Sequence, residues 1–370
     1  MASQPAQLPS TYKALQYPSS TAPPIIVTLP TPAVDSGSVI IKPLYNWIVT
    51  YAANVYGKGN PRQAPVTFPI IGGSNVIGRI AAIPPDATTL KIGDLVTVDP
   101  QIKARDITYL PVLGHLGLTY PGTWAELVKV PLENVLRFNE DRLKGLGVGI
   151  RDLAFVQQCL VGYGGLRDVN LTAGETVLVT PATGNFGGGA VHVALAMGAR
   201  VIAMGRNEGI LEELKGLAPG RVETVVMSGS VESDVAAITK FGVIDVFLDL
   251  TGIEATSTAH IRAGILSVRP GGRVSLMGQV AGVELPYTMV MYRQLTIRGT
   301  LMYTREQAED LIKLVETGVL KLGPSAGQTI RGIYKLEDGA AAVEASRREA
   351  GAGRCVYIVS DEEYLAYNGS

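Results

Sequence analysis

The sequence predicts an α/β protein in two parts, a β-rich domain of short strands followed by a doubly wound parallel sheet. Three observations carry this expectation. The chain has 370 residues, and ~150 residues per domain gives two or three domains. Its first 150 residues are broken by proline and glycine into short β-branched runs. Beyond about residue 150, strand patterns alternate with helical spacing, the grammar of a parallel sheet. Divided this way, residues 1–150 form the first domain, 151–300 the parallel sheet, and 301–370 a return to the first domain.

In the first part, Ile25–Leu29, Ser38–Pro43, Ile77–Ile83 and Leu95–Val98 read as strands, and Pro-Pro pairs at 23–24 and 84–85 as breaks. The second part opens with the strand Thr176–Thr180 and the helical spacing of Gly187–Gly198. The strand Arg200–Met204 and the helix Ile210–Leu217 follow. Further strands are read at Thr224–Met227, Ile244–Asp249, Gly272–Met277 and Gln294–Gly299. A helix is expected over 305–320 and mixed structure from Gly323 onward.

Composition excludes several function classes. With 32 basic and 33 acidic residues, the net charge of −1 gives no support to nucleic-acid binding or adsorption to a charged membrane. Two cysteines, Cys159 and Cys355, make neither a disulfide framework nor a multi-cysteine zinc module. The uncharged stretches Ala14–Val34, Ile107–Ala125 and Thr176–Ala199 each contain proline and are poor membrane helices. The first residues lack the basic and apolar regions of a signal peptide, and the last carry no targeting tripeptide. These features set the expectation of a cytoplasmic protein.

The most specific motif is Thr180-Pro-Ala-Thr-Gly-Asn-Phe-Gly-Gly-Gly-Ala190, which leaves a strand and opens a helix. Gly184 allows a sharp turn and Gly187 a close approach of helix and strand. Backbone N–H groups and the positive helix end then face a pyrophosphate. Thr183, Asn185 and Phe186 complete the candidate cofactor-binding turn. A cofactor with a free ribose 2′-hydroxyl expects an acid about 20 residues on. Here Gly205, 21 residues after Gly184, is followed by Arg206 and Asn207. An arginine fork suits a 2′-phosphate, so the pattern favours NADP(H), against the alternative of a solvent-exposed arginine at a strand end.

This order of parts resembles the medium-chain dehydrogenase/reductase superfamily, over residues 25–355. The resemblance rests on Pro69-Ile-Ile-Gly-Gly-Ser-Asn-Val-Ile-Gly78, Lys91–Val96, Gly122–Glu126, the glycine turn, Asp249-Leu-Thr-Gly252 and Arg269–Val274 running on to Gly278. It implies a GroES-like β-rich catalytic domain and a Rossmann cofactor domain, with Thr251 and Gly278 added to the cofactor contacts. It also implies that Gln294–Leu301 is the edge strand through which two copies pair as a homodimer. The zinc ligands of metal-dependent members map to Val49, Ser74-Asn75 and about Gln157, none a good zinc ligand. Cys159 nearby reads as a small buried apolar residue.

The resemblance is therefore to the zinc-free branch of quinone oxidoreductases and enoyl reductases. It implies hydride transfer to a conjugated acceptor, with the protein aligning cofactor and substrate. Tyr51, two positions after Val49, is the first candidate proton donor, and Tyr56 the second. Asn46, Trp47, Thr50 and Asn54 are expected to line a pocket for an apolar small molecule, with a polar contact from His115. The apolar segment 101–121, with Tyr109 and Tyr120, reads equally as a pocket wall or a packed surface loop. His192 reads as structural and His260 as a surface residue. Two alternatives stay open, a zinc-free alcohol or carbonyl oxidoreductase and an NADP(H)-binding protein or non-redox cyclase or isomerase.

Overall fold

The computed structural model describes residues 8–57, 60, 62–106 and 112–365. They form two compact units, residues 1–154 with 330–349 and 355–370, and residues 155–329 with 350–354. Tyr109, expected on a pocket wall, lies outside the described residues.

The first unit begins with β1 (Thr11–Tyr17), β2 (Ile25–Pro30), β3 (Ser38–Trp47), the short α1 (Ala52–Tyr56), β4 (Ile70–Ile71), β5 (Ile77–Ala82) and β6 (Leu95–Val98). A hairpin of β7 (Gln101–Lys103) and β8 (Val112–His115) follows, then β9 (Val128–Pro131), β10 (Val135–Arg137) and α2 (Glu140–Gly145). The central strand β3 pairs antiparallel with both β5 and β9. Of its ten residues only Lys42 is exposed, which explains an apolar run in place of an alternation. The strand continues past Pro43, which falls at a register shift against β5, a place where strands tolerate proline. Val39, Ile40, Ile41, Ile80, Val96 and Val130 fill one core. Tyr17, Ile48, Tyr56, Trp124 and Ile358 fill a second.

The second unit opens with α3 (Phe155–Asp168) and β11 (Thr176–Thr180). The alternation continues through α4 (Asn185–Ala196), β12 (Arg200–Gly205), α5 (Glu208–Gly216), β13 (Val222–Val226), α6 (Val231–Thr239) and β14 (Ile244–Asp249). It ends with α7 (Ala259–Ser267), β15 (Val268–Leu276), α8 (Tyr287–Tyr292), β16 (Thr296–Gly299) and α9 (Arg305–Glu316). The six strands are all parallel, in the order β13-β12-β11-β14-β15-β16. The order reverses between β11 and β14, where doubly wound sheets open a crevice at their carboxyl ends.

The return to the first unit begins at residue 330, not at 301. Residues 301–329 stay with the parallel sheet because α9 buries Ala308, Leu311, Ile312 and Val315, one face of a helix. Thr304 and Gln307 close its first turn as a capping box. β17 (Thr329–Lys335), α10 (Gly339–Arg348) and β18 (Arg354–Val359) complete the chain, and β18 pairs antiparallel with β3. Among the described residues, no helix is long and apolar enough to cross a membrane.

Candidate nucleotide and catalytic sites

In the second unit the glycine turn links β11 to α4. Gly184 is the exposed N-cap of α4, and a Cβ placed there would meet no atom within 4 Å. Open space over a helix amino end is what an anionic group requires. Gly187 is different, since a Cβ there would lie 1.9 Å from the Pro181 carbonyl oxygen. A Cβ at Gly189 would lie 2.1 Å from the Gln158 carbonyl oxygen of α3. The glycine run therefore packs the helix onto its own turn and onto its neighbour.

Several side chains expected at the cofactor site hold the scaffold. Asn185 is buried, and its Nδ2 donates to the carbonyls of Gly351 and Arg354, both at 2.8 Å. Asn207 caps α5, its Oδ1 accepting from the Ile210 N–H at 3.1 Å. Thr251 is 2% exposed and its hydroxyl lies between Asp249 and His260. These three were expected among the cofactor contacts, and the side-chain atoms named here bond the scaffold. Thr183 and Phe186 are half-buried in the turn, and Arg206 is exposed at the end of β12. Thr183 also accounts for the missing acid. A Cβ at Gly205 would lie 2.5 Å from its Cγ2.

Asp249 and His260 are the residues that sequence reasoning missed. Asp249 ends β14, and its carboxylate accepts the Thr251 N–H at 3.1 Å and the Thr251 hydroxyl at 2.5 Å. Burial pushes its carboxyl up to about 6, against the lowering effect of bonds from Thr251 and Gly278. Gly278 has no room for a side chain, because a Cβ would lie 2.4 Å from Asp249 Oδ2. His260 is 8% exposed, not a surface residue, and its Nε2 lies 2.8 Å from Thr251 Oγ1. Burial lowers its pKa below the ordinary histidine value. The motif Asp249-Leu-Thr-Gly252 marked this strand end, but α7 is buried almost all round, so no apolar stripe singled out His260. A cavity of about 760 Å³ adjoins this region, lined by residues 255–259, 280–282, Glu232, Arg262 and Glu284.

In the first unit, Val49, Thr50, Tyr51 and Asn54 are half-buried around the start of α1. The Tyr51 carbonyl accepts from Asn54 and Val55, and the Arg62 guanidinium stands 3.7 Å from the Tyr51 ring centroid. Tyr56 is drawn into the core instead. It is 5% exposed, its ring stacks on Tyr17 at 4.5 Å, and its hydroxyl accepts the Gly73 N–H at 2.9 Å. Burial raises its pKa above the ordinary phenol value. Asn46 is wholly buried in β3, with Nδ2 donating to the Ile358 carbonyl at 3.3 Å, and Trp47 is buried beside it. Neither can line an open pocket from there. His115 is half-buried with Nδ1 2.7 Å from the Leu116 carbonyl, which makes Nδ1 the N–H donor and leaves Nε2 as an acceptor. Burial lowers its pKa as well.

The positions to which the resemblance maps zinc ligands hold no such set. Val49 packs against apolar neighbours, Asn75 Nδ2 donates to Ser74 Oγ at 3.0 Å, and Gln157 is buried in α3. Among the described residues, no group of three or more His, Cys, Asp or Glu is arranged to hold a metal. Both cysteines are buried and neither is in a disulfide, and burial pushes the Cys159 thiol up to about 12.

Comparison with known proteins places this arrangement. Residues 36–140 match the alcohol dehydrogenase GroES-like domain, and residues 186–317 match the zinc-binding dehydrogenase family. The chain is 30% identical over 328 residues to acryloyl-coenzyme A reductase of Metallosphaera sedula, covering 81% of this chain and 86% of that protein. It is 26% identical to L-threonine 3-dehydrogenase of Pyrococcus horikoshii, over 85% of this chain and 90% of that protein. The crystal structure of AibC matches its fold at a TM-score of 0.80 and 23% identity, over 95% of this chain and 97% of that one. An alcohol dehydrogenase, rspB from E. coli CFT073, solved with cofactor NADH, matches at 0.79 and 18% identity, over 95% of this chain and 100% of that one. From the GroES-like and parallel-sheet units, the glycine turn and these relatives together, the chain belongs to the medium-chain dehydrogenase/reductase superfamily of oxidoreductases.

Proposed function

We propose that this protein is a zinc-independent, NADPH-dependent reductase that transfers hydride to a conjugated enone, quinone or enoyl substrate. The observation that carries the reading is the neutral set at Val49, Ser74, Asn75 and Gln157, where zinc-dependent members of the family place metal ligands. An apolar side chain, a hydroxyl and two amides do not fit that metal, so no step is derived through it. A conjugated acceptor needs no Lewis acid, because charge arriving at its β-carbon is delocalised onto the carbonyl oxygen. The name of the 30% identical relative, acryloyl-coenzyme A reductase, describes such a substrate.

The nicotinamide cofactor, when bound, supplies the hydride. The residues present fit it, since the open space over Gly184 and the amino end of α4 suit a pyrophosphate. Arg206, exposed beside a strand end that has no acid, suits a 2′-phosphate. Tyr51 holds the proton that the reduced substrate would take up. The Arg62 guanidinium fixes its ring and steadies the oxyanion left when the phenol gives up that proton. Edge strand β16, with most of its residues exposed, is the surface through which two copies would pair.

The test is loss of NADPH absorbance on mixing the protein with a panel of enones, quinones and enoyl thioesters. Turnover of these above simple alcohols and ketones supports the reading. Turnover of alcohols alone favours the activity named for L-threonine 3-dehydrogenase and similar relatives. No redox turnover on either panel, with NADPH bound, favours a non-redox role.

A further inference from the structure

Asp249 joins two loops with one carboxylate. Its oxygens take the N–H and hydroxyl of Thr251 after β14 and the N–H of Gly278 after β15. Beside it, Met277 N–H donates to the Asp249 carbonyl at 3.0 Å, and Gln279 N–H to the Thr251 carbonyl at 2.9 Å. The Thr251 hydroxyl has a single proton and gives it to Asp249. The 2.8 Å contact from His260 therefore requires a proton on Nε2. The polarity of the chain is fixed, His260 N–H to Thr251 O–H to the Asp249 carboxylate. The same two loops run on into residues 255–258 and 280–282 of the cavity wall, and Ala259 and Arg262 line it on either side of His260.

We propose that Asp249 and His260 are positioning residues for the nicotinamide cofactor, acting through the Thr251 hydroxyl to lock the loops after β14 and β15 in their binding geometry. The proposal rests on the cofactor reading above. The lock is sensitive to acid. Protonating Asp249, whose pKa burial raises to about 6, removes the negative charge from its three hydrogen bonds and puts a proton on one of its two oxygens, which weakens the lock. His260 faces Asp234 of α6, whose buried Oδ2 has no hydrogen-bond partner, and Arg206 just after β12; the first favours and the second opposes its charging. A charged His260 still donates from Nε2, so the acid limb belongs to Asp249.

The experiment titrates NADPH by fluorescence into the full-length protein and into Thr251→Val, Thr251→Ser, His260→Leu, His260→Gln and the Val/Leu double variant. Each is melted without cofactor as a control. We expect Thr251→Val, which breaks both bonds of the chain, and His260→Leu, which breaks one, each to weaken NADPH about tenfold or more near neutral pH. The double variant loses no more than Thr251→Val alone, while Ser and Gln stay within about threefold of wild type. Wild-type affinity also falls more steeply than that of Thr251→Val below about pH 6, where the 2′-phosphate's own titration is common to both. Variants that melt early yet bind NADPH as wild type does, or losses that add in the double variant, overturn the proposal. If His260→Leu does not fold, the Thr251 pair decides alone. Wild type that binds neither NADPH nor NADH sinks the cofactor reading itself.

Discussion

Replacing Gly205 with aspartate would place a carboxylate where a ribose 2′-hydroxyl is met in related sites, and the geometry says what resists it. The new Cβ would lie 2.5 Å from Thr183 Cγ2 and 2.9 Å from Thr183 Oγ1. Both are side-chain atoms, so Thr183 must shift or leave its rotamer. Overpacking of this kind costs about 1–3 kcal/mol, which for a unit of this size lowers Tm by roughly 3–10 °C. Thr183→Ala removes both clashing atoms, and the double variant therefore recovers most of the lost Tm. Selectivity moves in the same experiment. One hydrogen bond to a charged group contributes about 1.5–3 kcal/mol, shifting the NADH to NADPH affinity ratio roughly 10- to 100-fold toward NADH, and the carboxylate repels a 2′-phosphate. Melting curves and fluorescence titrations with both cofactors read the two effects separately. A Gly205→Asp protein that melts with wild type, or that keeps its cofactor ratio unchanged, refutes the reasoning.

Three other variants probe the remaining parts. Tyr51→Phe should lower kcat by about 10²–10⁴ while leaving NADPH affinity unchanged, and full turnover would remove Tyr51 as the donor. Tyr56→Phe takes away the acceptor of the Gly73 N–H, so it should cost about 1–3 kcal/mol of stability in chemical denaturation; a loss of activity with no loss of stability would return Tyr56 to the catalytic candidates. His192 is buried on α4, and burial lowers its pKa to about 4. Because the unfolded chain binds that proton near 6.5, stability falls as pH drops from about 6.5 toward 4, by ~3 kcal/mol in all. His192→Leu should flatten that limb of the pH–stability curve, and an unchanged limb would show that another group sets it.

The strands and the glycine turn were legible because they obey local rules. The run Thr176–Thr180 and the glycines after it identify a buried strand meeting a helix at close range, and Gly187 and Gly189 have no space for a Cβ. The boundary at 301 was misplaced because α9 and its neighbours carry no break in pattern, and only their packing assigns them to the second unit. At the site, residue type gave the chemistry but not the direction of the side chains. Asn185 in the glycine turn, Asn207 after β12 and Thr251 after β14 each hydrogen-bond the scaffold through the side chain. Tyr51 caps the short helix that Tyr56 ends, and packing against Tyr17 and Trp124 draws the second into the core. Asp249 and His260 were assigned no role because their link through Thr251 is a tertiary fact, made across the start of α7.

The central claim is reduction of a conjugated acceptor by NADPH without zinc, and the most direct measurement follows NADPH consumption with an enoyl thioester while bound metal is assayed on the same sample. The account predicts that the protein as purified binds no stoichiometric zinc and that turnover survives treatment with a strong chelator. Activity that scales with one zinc per chain, is abolished by the chelator and returns on adding zinc would contradict it.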